Sequence, residues 1–578
     1  MKVALCSINS KYIHSSLAPW YLKAAAVQGG VVAEMNVIEA NINQPKEQVT
    51  ALMTSDQPDI LALCCHIWNI KMVKGLLSEI KASLPHLKII LGGPEVSFNA
   101  DEIMADYPEV DFIICGEGEV PFTELLLVLE NEEYIDPSHT RYSQIAGLCY
   151  RQGDRILGNP ASEPVGQPPS PYTDEYFAQL KGRIAYFESS RGCPFACTFC
   201  LSGRPGNVRF FDIEQAKIDI LRLANSGSKT IKFVDRTFNC QARRTKEWIT
   251  YILQQATDKS NPAIPSGVCF HFEVGADLFD QETITLLNQA PVGLFQLEAG
   301  LQSFNPQTLA AIQRHTNLDL LKQHVQQLLA PGNIHIHIDL IAGLPYEDFA
   351  SFGRSFDAAY ELAPHMLQLG FLKMLHGSRL RQQATELGYT YSEQPPYEFD
   401  SNPWLTLADK KQLKLCEDAL ERLYNSGRFP RTLDYVRKVT NLRPFQFYGD
   451  FGSYVGEVAG ISLDQYTTLF YEFALGLEGV NRQRLRDVLV CDRLSCDNTG
   501  SLPRCLKVED QRHKRVARGL AAKLVNKKQP YRLYGFALLY GGDELTVVVA
   551  DYTKKDSVSG RYELEYFNAA AFATVLQN

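Results

Sequence analysis

The sequence predicts an α/β protein with two successive regions of alternating strands and helices and a C-terminal α+β region. Apolar runs of strand length alternate with helical periodicity over residues 1–135, and the same alternation returns over residues 181–388. This alternation predicts parallel strands, because each helical crossover brings the chain back to the same end of the sheet. A proline-rich stretch at 159–172 separates the two regions and predicts a semi-rigid linker.

The first region is predicted to form a doubly wound parallel sheet. Its predicted strands are 2–8, 31–39, 59–66, 88–92 and 111–116. Its predicted helices include 17–27, 70–83 and 120–132. Such a sheet binds its ligand at the carboxyl ends of the strands, where small residues let the backbone approach a bulky group. The candidate ligand-binding residues at these ends are Gly92, Gly93, Gly116, Glu117, Gly118 and Glu119.

The second region is predicted to form a partial (β/α)6 barrel, with its site at the carboxyl ends of the strands. The six predicted strands are 183–188, 230–234, 269–274, 294–299, 335–341 and 366–372. Beyond residue 388 the pattern changes to helices at 406–425 and 465–475 and to strands at 533–540, 545–551 and 561–567. We therefore expect four parts: a doubly wound domain at 1–135, a hairpin and linker at 136–180, a barrel at 181–388 and an accessory domain at 389–578.

Composition narrows the classes of function. The formal net charge of −9 argues against a general nucleic-acid coat. No run approaches the roughly 18 to 20 apolar residues of a membrane span, and the N-terminus lacks the apolar core of a signal peptide. Fourteen scattered cysteines without an export signal indicate reduced thiols. We expect a cytoplasmic protein with no membrane partner.

Three cysteines lie in one short loop after the first predicted barrel strand. Cys193, Cys197 and Cys200 have the spacing C-x3-C-x2-C. Three thiolates so placed can ligate three irons of a [4Fe-4S] cluster and leave the fourth iron open to a ligand. A zinc knuckle is the alternative, but it needs a fourth nearby Cys or His, and the next cysteine is Cys240. With the preceding Arg-Gly and with Phe199, this loop resembles the signature loop of the radical S-adenosylmethionine (SAM) enzymes.

Further segments resemble the SAM-binding segments of that superfamily. The resemblance implies that Asp235 contacts the SAM amine, that Glu298 and Gln302 hold the ribose and carboxylate, that Arg314 lies near the carboxylate, and that the segment of Asp339 packs against the adenine. Glu273 is a cofactor-binding candidate, with a buried salt bridge as the alternative. The family's mechanism would then apply: SAM binds the open iron, and an electron from a low-potential donor such as flavodoxin or ferredoxin releases a 5′-deoxyadenosyl radical.

The first region resembles the cobalamin-binding domains that precede some radical SAM barrels, through Gly92-Gly-Pro-Glu and Gly116-Glu-Gly-Glu. The Asp-x-His-x-x-Gly motif that supplies an axial histidine in other cobalamin proteins is absent, so the resemblance implies base-off cobalamin. Tyr12, His14 and His66 are candidates for the cobalamin site, with a capping or core role as the alternative for the histidines. The region after residue 390 resembles a domain of uncharacterised function called DUF4080.

The leading hypothesis is a cobalamin-dependent radical SAM enzyme that methylates an unactivated carbon of a substrate that the sequence does not identify. Two alternatives stay open: a non-methylating enzyme that performs a cyclisation, rearrangement or redox step, and a silent regulator that binds corrin or SAM. Cys491, Cys496 and Cys505, with His513, form a weaker candidate metal site, and the alternative is that the intervening segment 492–497 is an ordinary strand that leads into a loop. A basic run at 512–528 is either a solvated helix face or a surface for an anionic partner.

Overall fold

A computed structural model describes residues 1–130, 141–161, 166–203, 207–258, 260–510, 519, 534–556 and 559–568. The chain divides into two compact units. Unit one comprises Met1–Leu286, Ile312–His315 and Leu372–Asn402. Unit two comprises Leu287–Ala311, Thr316–Phe371 and Pro403–Asn578. No helix among the described residues has both the length and the apolar character needed to cross a membrane.

Unit one begins with the predicted doubly wound sheet. Its strands, in spatial order, are Glu34–Asn41, Lys2–Asn9, Ile60–Cys64, Lys88–Gly92, Phe112–Ile114, Leu148–Gln152 and Arg155–Gly158. The first five pair in parallel, and the last two add an antiparallel hairpin. The order of the parallel strands reverses beside the strand Lys2–Asn9, which is where doubly wound sheets bind ligands.

Both faces of this sheet are buried under apolar clusters. Side chains of one strand alternate between the two faces, so alternate residues enter different clusters. Leu61 and Leu63 pack into one apolar cluster, whereas Ile60 and Ala62 pack into the other. The helices around the sheet are Ala18–Gln28, Lys46–Thr54, Ile70–Lys74, Leu77–Ser83, Ala100–Asp106 and Glu119–Glu130. The alternation of buried apolar residues therefore accounts for the strand predictions in this region.

One helix prediction was wrong. The predicted helix at 70–83 is two helices, Ile70–Lys74 and Leu77–Ser83. Gly75 caps the first of them, and its N–H donates to the carbonyls of Lys71 and Val73. Glycine is a poor helix former and a common helix terminator. The helix therefore ends at Gly75, although the apolar periodicity of the sequence continues past it.

The rest of unit one contains a second parallel sheet. Ile231 in the strand Thr230–Phe233 lies between Ala185 and Phe270 on its neighbours Ala185–Phe187 and Cys269–Val274. The accompanying helices are Asp174–Gln179, Ile213–Ala224, Ala242–Thr257, Gln281–Asn288, which begins in this unit, and Arg379–Gln382. Short strands are Ser190–Arg191, Arg209–Phe210, Thr390–Tyr391 and Phe399–Ser401. These elements place the cysteine loop directly after the first strand of the sheet.

Unit two contains three further parallel strands, Phe295–Gln302, His335–Ala342 and Met366–Phe371. All six barrel strands predicted from the sequence are therefore present. The helices are Pro306–Ala311, Leu318–Leu329, Phe349–Glu361, Leu407–Leu420 with its π-helical continuation Glu421–Asn425, Pro430–Val439, Pro444–Val455, Leu463–Leu475 and Arg482–Cys496. The C-terminal strands Tyr534–Leu539, Thr546–Lys555 and Tyr562–Asn568 form an antiparallel sheet, which confirms the predicted α+β character.

A second local prediction was wrong in this unit. The segment 492–497 was expected to leave a strand for a loop, but residues 492–496 belong to the helix Arg482–Cys496. Asn481 caps that helix and accepts hydrogen bonds from the N–H groups of Gln483 and Arg484. Asp492 is fully buried and accepts a hydrogen bond from the Thr432 hydroxyl at 2.8 Å. The charged residues of this segment are therefore interior contacts, which a polar sequence pattern does not indicate.

Candidate active site

The three cysteines lie in a loop that is closed by a two-stranded ribbon. The loop leaves the strand Ser190–Arg191 and returns at Arg209–Phe210, and the two strands pair antiparallel. Gly192, at the start of the loop, has a φ of 103°, and a Cβ there would lie 2.7 Å from the Asn207 carbonyl oxygen. Only glycine fits this turn without displacing backbone. The turn into the first cysteine is thus fixed by the sequence.

Cys197 is the most buried of the three thiols, and Arg314 lies beside it. The Arg314 Nη1 is 3.8 Å from the Cys197 Sγ, and its guanidinium lies over the Phe195 ring. Burial raises the pKa of the Cys197 thiol, whereas the Arg314 charge acts in the opposite direction. A cation at this distance stabilises the thiolate that binds a metal. The sequence predicted Arg314 near the SAM carboxylate, and its position against Cys197 was visible only in the structure.

The other two sulfurs have polar neighbours as well. The N–H of Ser202 donates to the Cys200 Sγ at 3.4 Å, and the Thr237 Oγ1 lies 3.5 Å from the Cys193 Sγ. All three thiols of the loop lie within the described residues, and none of them forms a disulfide there. Hydrogen bonds to cysteine sulfur are among the features by which a protein tunes an iron–sulfur cluster. A set of three free thiols in one loop, with polar neighbours, fits such a cluster.

Asp235 supports the start of the cysteine loop. One carboxylate oxygen accepts from the Ser189 N–H at 2.8 Å, and the other accepts from the Ser189 and Ser190 hydroxyls at 2.7 Å each. Burial raises the pKa of Asp235 to about 6, although these hydrogen bonds favour the ionised form. Its predicted contact with SAM remains a prediction, and the contacts seen fix the residues just before the loop.

A cavity of about 860 Å³ lies in unit one and joins the edge of the doubly wound sheet to the neighbourhood of the cysteine loop. The predicted residues Gly92, Gly93, Gly116, Glu117, Gly118 and Glu119 all line it. So do Gly192, Leu201 and Ser202, which flank the cysteines. At Gly93, with a φ of 108°, a Cβ would lie 2.5 Å from the Cys65 carbonyl oxygen, so the strand end stays free of side chains there. A glycine-walled cavity of this size fits a large planar cofactor.

Two predicted histidines line the same cavity, and burial lowers the pKa of each below its ordinary value. Burial lowers the pKa of His66 to about 4, and its ring stacks on Trp68 with centroids 4.4 Å apart. Burial also lowers the pKa of His14, whose Nδ1 lies 2.7 Å from the Tyr186 hydroxyl. Tyr12 does not line the cavity: 71% of it is exposed, and Arg183 lies over its ring.

Glu273 also lines the cavity, at the end of the strand Cys269–Val274. Its carboxylate lies 3.6 Å from Lys232 Nζ and 4.0 Å from the Arg236 guanidinium. Both basic residues line the cavity, and the sequence had not singled them out. Their position in the sequence could have indicated them, because each lies at or just after the end of a strand of the second sheet, where a site is expected. Phe199 lies in the cysteine loop and is partly buried.

The remaining predicted residues lie in unit two. Glu298 and Asp339 come together with His337 within 4.8 Å, and the His337 Nε2 is 2.7 Å from an Asp339 carboxylate oxygen. His337 was missed, although alternation along the strand His335–Ala342 puts it on the same face as Asp339. Gln302 has a left-handed φ of 74°, and its buried Oε1 has no hydrogen-bond partner among the described residues. The positive φ coincides with a register shift between Gly300 and Gln302 in the pairing with the strand His335–Ala342, and the role of Gln302 in SAM binding remains a prediction.

Glu347, also in unit two, provides a pH-dependent test of this structure. One carboxylate oxygen accepts from the Ser303 and Ser355 hydroxyls, and burial raises the pKa of Glu347 to about 7. The folded state holds the Glu347 proton more tightly than the unfolded chain does. The protonated carboxyl therefore stabilises the fold fully below the pKa that Glu347 has in the unfolded chain, and this stabilisation is lost as pH rises through 7. The free energy of unfolding of the wild type should therefore fall between pH 5 and 8 relative to Glu347→Gln, by about 2 kcal/mol.

Chemical denaturation across this pH range measures the difference. Glu361→Gln, an exposed position on the helix Phe349–Glu361, is the matched control and should follow the wild type. Parallel curves for the wild type and Glu347→Gln would contradict the raised pKa.

The C-terminal cysteines are not brought together. Cys491 lies 3.9 Å from the Tyr566 hydroxyl, Cys505 lies 3.4 Å from the Thr468 hydroxyl, and Cys496 contacts the Arg493 carbonyl. Within the ranges that the structure covers, no metal-ligand group includes these thiols. His513 and residues 512–518 and 520–528 of the basic run lie outside the described residues. The weaker metal-site hypothesis therefore gains no support.

The doubly wound sheet, the strand–helix units and the open three-cysteine loop define an α/β cofactor-binding protein with an iron–sulfur site. Comparison with known proteins narrows this class to particular families. Residues 5–126 match the B12 binding domain, residues 187–359 match the radical SAM superfamily, and residues 385–533 match DUF4080, a protein of unknown function. These three matches, in this order along the chain, agree with the predicted class, a B12-binding radical SAM protein with a DUF4080-type region. The first two matches confirm the predicted cofactors: a [4Fe-4S] cluster, SAM and cobalamin.

Two curated relatives are methyltransferases. The chain is 28% identical over 334 residues to the cobalamin-dependent radical SAM methyltransferase TokK of Streptomyces tokunonensis, covering 55% of this chain and 47% of TokK. It is 29% identical over 322 residues to the 2-(S-pantetheinyl)-carbapenam-3-carboxylate methyltransferase of Streptantibioticus cattleyicolor, covering 53% and 46%. The match thus spans about half the length of each relative.

A solved structure shows the same fold. The cobalamin-dependent SAM radical enzyme OxsB, with aqua-cobalamin and SAM bound, aligns with a TM-score of 0.58 at 15% identity. The alignment covers 92% of this chain and 82% of OxsB. The likeness therefore extends over most of this chain and concerns the fold alone.

Proposed function

We propose that the protein is a cobalamin-dependent radical SAM methyltransferase that acts on an unactivated carbon. One observation carries the proposal: a single cavity in unit one is lined both by the glycine edge of the doubly wound sheet and by the residues that flank the cysteine loop. Both curated relatives described above are methyltransferases, which supports the same reaction class.

The chain's own residues would have separate roles in binding and placing the cluster. Cys193, Cys197 and Cys200 would hold the cluster, and Arg314 would offset negative charge at Cys197. Asp235 would fix the entry of the loop through Ser189. Because the catalytic power of such a site comes from placement and from the exclusion of water, these supports matter as much as the ligands.

The cofactors supply the difficult chemistry when bound: a radical from SAM at the cluster and a methyl carrier in cobalamin. The edge at Gly92 and Gly93 would seat the corrin. A base-off cobalamin would face His66 and Trp68, and His66 is neutral there because burial lowers its pKa to about 4. Contacts of Glu273, Glu298, Gln302 and Asp339 with SAM are part of the same proposal.

The test uses anaerobically reconstituted protein with cobalamin, a reductant and SAM that carries a deuterated methyl group. We expect 5′-deoxyadenosine together with S-adenosylhomocysteine, the latter in an amount set by the bound cobalamin. 5′-Deoxyadenosine alone would point to the non-methylating alternative. Neither product, from protein with intact cluster and corrin absorption, would point to a silent regulator.

We also propose a low-potential electron donor such as flavodoxin or ferredoxin, and a cytoplasmic location, because the cluster and the free thiols both require reducing conditions. The division into parts at 1–135, 136–180, 181–388 and 389–578 belongs to this proposal. The last part would shape the substrate pocket or bind a partner.

A further inference from the structure

The ribbon that closes the cysteine loop carries two arginines directly opposite each other. In the register of the strands Ser190–Arg191 and Arg209–Phe210, Arg191 faces Arg209. Like charges in this arrangement repel and destabilise a strand pair. The base of the loop that holds the three cysteines would therefore tend to open unless a negative group lay between the two guanidinium groups.

Glu117 is that group, and it comes from the doubly wound sheet. One carboxylate oxygen accepts from Arg191 Nη1 at 2.8 Å, and the other accepts from Arg209 Nη2. The side chain is 28% exposed, and those of Arg191 and Arg209 are 20% and 24% exposed. Partly buried, charge-assisted hydrogen bonds of this kind are stronger than exposed ion pairs. One carboxylate thus neutralises the repulsion across the ribbon.

Arg191 is held independently of Glu117. Its Nε and Nη2 donate to the two oxygens of Glu188 at 3.0 and 2.9 Å, and its Nη1 also donates to Glu119 at 2.8 Å. The guanidinium lies over the Tyr21 ring as well. Arg209, by contrast, has Glu117 as its carboxylate partner in the described ion pairs. Loss of Glu117 should therefore act mainly on Arg209, which would lose its carboxylate partner, whereas Arg191 would stay paired with Glu188 and Glu119.

Glu117 also lies in the loop Gly116–Glu119 that lines the cavity proposed for cobalamin. We propose that Glu117 is a positioning residue that keeps the cysteine loop closed and couples it to that cavity wall. A ligand that orders the wall would thereby order the ribbon, and the cluster would be held more firmly when cobalamin is bound. This inference rests on the proposed function, because it takes the cysteine loop as the cluster site and the cavity as the cobalamin site.

The experiment measures how fast an iron chelator removes the cluster from anaerobically reconstituted protein. Glu117→Gln keeps the shape of the side chain and removes its charge, and we expect roughly tenfold faster iron loss. Arg209→Gln should stay near the wild type, since Arg191 keeps its other carboxylates. The double variant Glu117→Gln/Arg209→Gln should return to within about twofold of the wild type, because no guanidinium of the ribbon is then left without its carboxylate partner.

Glu214→Gln is the matched control, since Glu214 is an exposed carboxylate that pairs with Lys217 in the same unit. It should lose iron at the wild-type rate. Iron loss from Glu117→Gln at the wild-type rate, or from the double variant as fast as from Glu117→Gln, would overturn the inference. Thermal unfolding of each variant shows that the measured rates come from folded protein.

A second arm tests the coupling. Added aquacobalamin should slow iron loss from the wild type and not from Glu117→Gln, and equal slowing in both would overturn the coupling. The two levels of the proposal fail differently. A wild type that assembles no cluster, or binds no cobalamin, would refute the proposed function, whereas the inference fails only in protein that holds both.

Discussion

Replacing Cys197 with alanine is expected to abolish the iron–sulfur absorption of the reconstituted protein and to reduce 5′-deoxyadenosine formation about a thousandfold or more. If the three thiols are one ligand set, as proposed, a cluster that loses one of them loses its open corner or does not assemble. The triple alanine variant should therefore be no worse than the single one. Iron content, visible absorption and product formation measure the effect in parallel.

Cys269→Ala is the matched control for this result. Cys269 lies on a strand in the same unit, outside the three-cysteine loop, and burial raises the pKa of its thiol to about 11. It should retain the full cluster signal. Cobalamin binding should survive in both variants, because no cysteine of the loop lines the cavity. A Cys197→Ala protein that still cleaves SAM would refute the assignment of the cysteine loop.

Much of the fold could be predicted because apolar alternation identifies buried strands. The strands Lys88–Gly92 and Cys269–Val274 begin and end where the sequence predicted. The errors came where a local backbone property or a distant partner overrode the pattern. Gly75 ends a helix inside a periodic run, and the buried Asp492 accepts hydrogen bonds from Thr432, 60 residues away in the sequence, and from Arg561, 69 residues away.

The candidate site shows the same distinction between what a local sequence pattern predicts and what depends on distant residues. The cysteine loop could be recognised because its three cysteines lie within eight residues, so their spacing alone indicates a cluster site. The partners of Asp235 and Arg314 could not, because Ser189 and Cys197 lie 46 and 117 positions from them in the sequence. The contact of Arg191 with Glu117 spans 74 positions, so only the fold brings them together. Sequence spacing identifies ligands within one loop, whereas the groups that hold the loop in place come from other elements.

Replacing Gly92 with leucine is expected to weaken cobalamin binding by about 10- to 100-fold, because the new side chain would fill part of the cavity and overpacking costs about 1–3 kcal/mol. Gly92 is suited to this test because a Cβ there would meet only the Ile114 carbonyl oxygen, at an ordinary 3.7 Å. The neighbouring Gly93 is not suited, since its Cβ would strike the Cys65 backbone and destabilise the sheet itself. Gly158→Leu, at an exposed strand end of the same sheet with nothing within 4 Å of its Cβ, is the control. Corrin absorption retained after gel filtration measures binding, and iron content shows that the cluster is intact. Wild-type affinity in Gly92→Leu would mean that cobalamin does not bind in this cavity, and the assignment of the sheet edge would have to be abandoned while that of the cysteine loop stood.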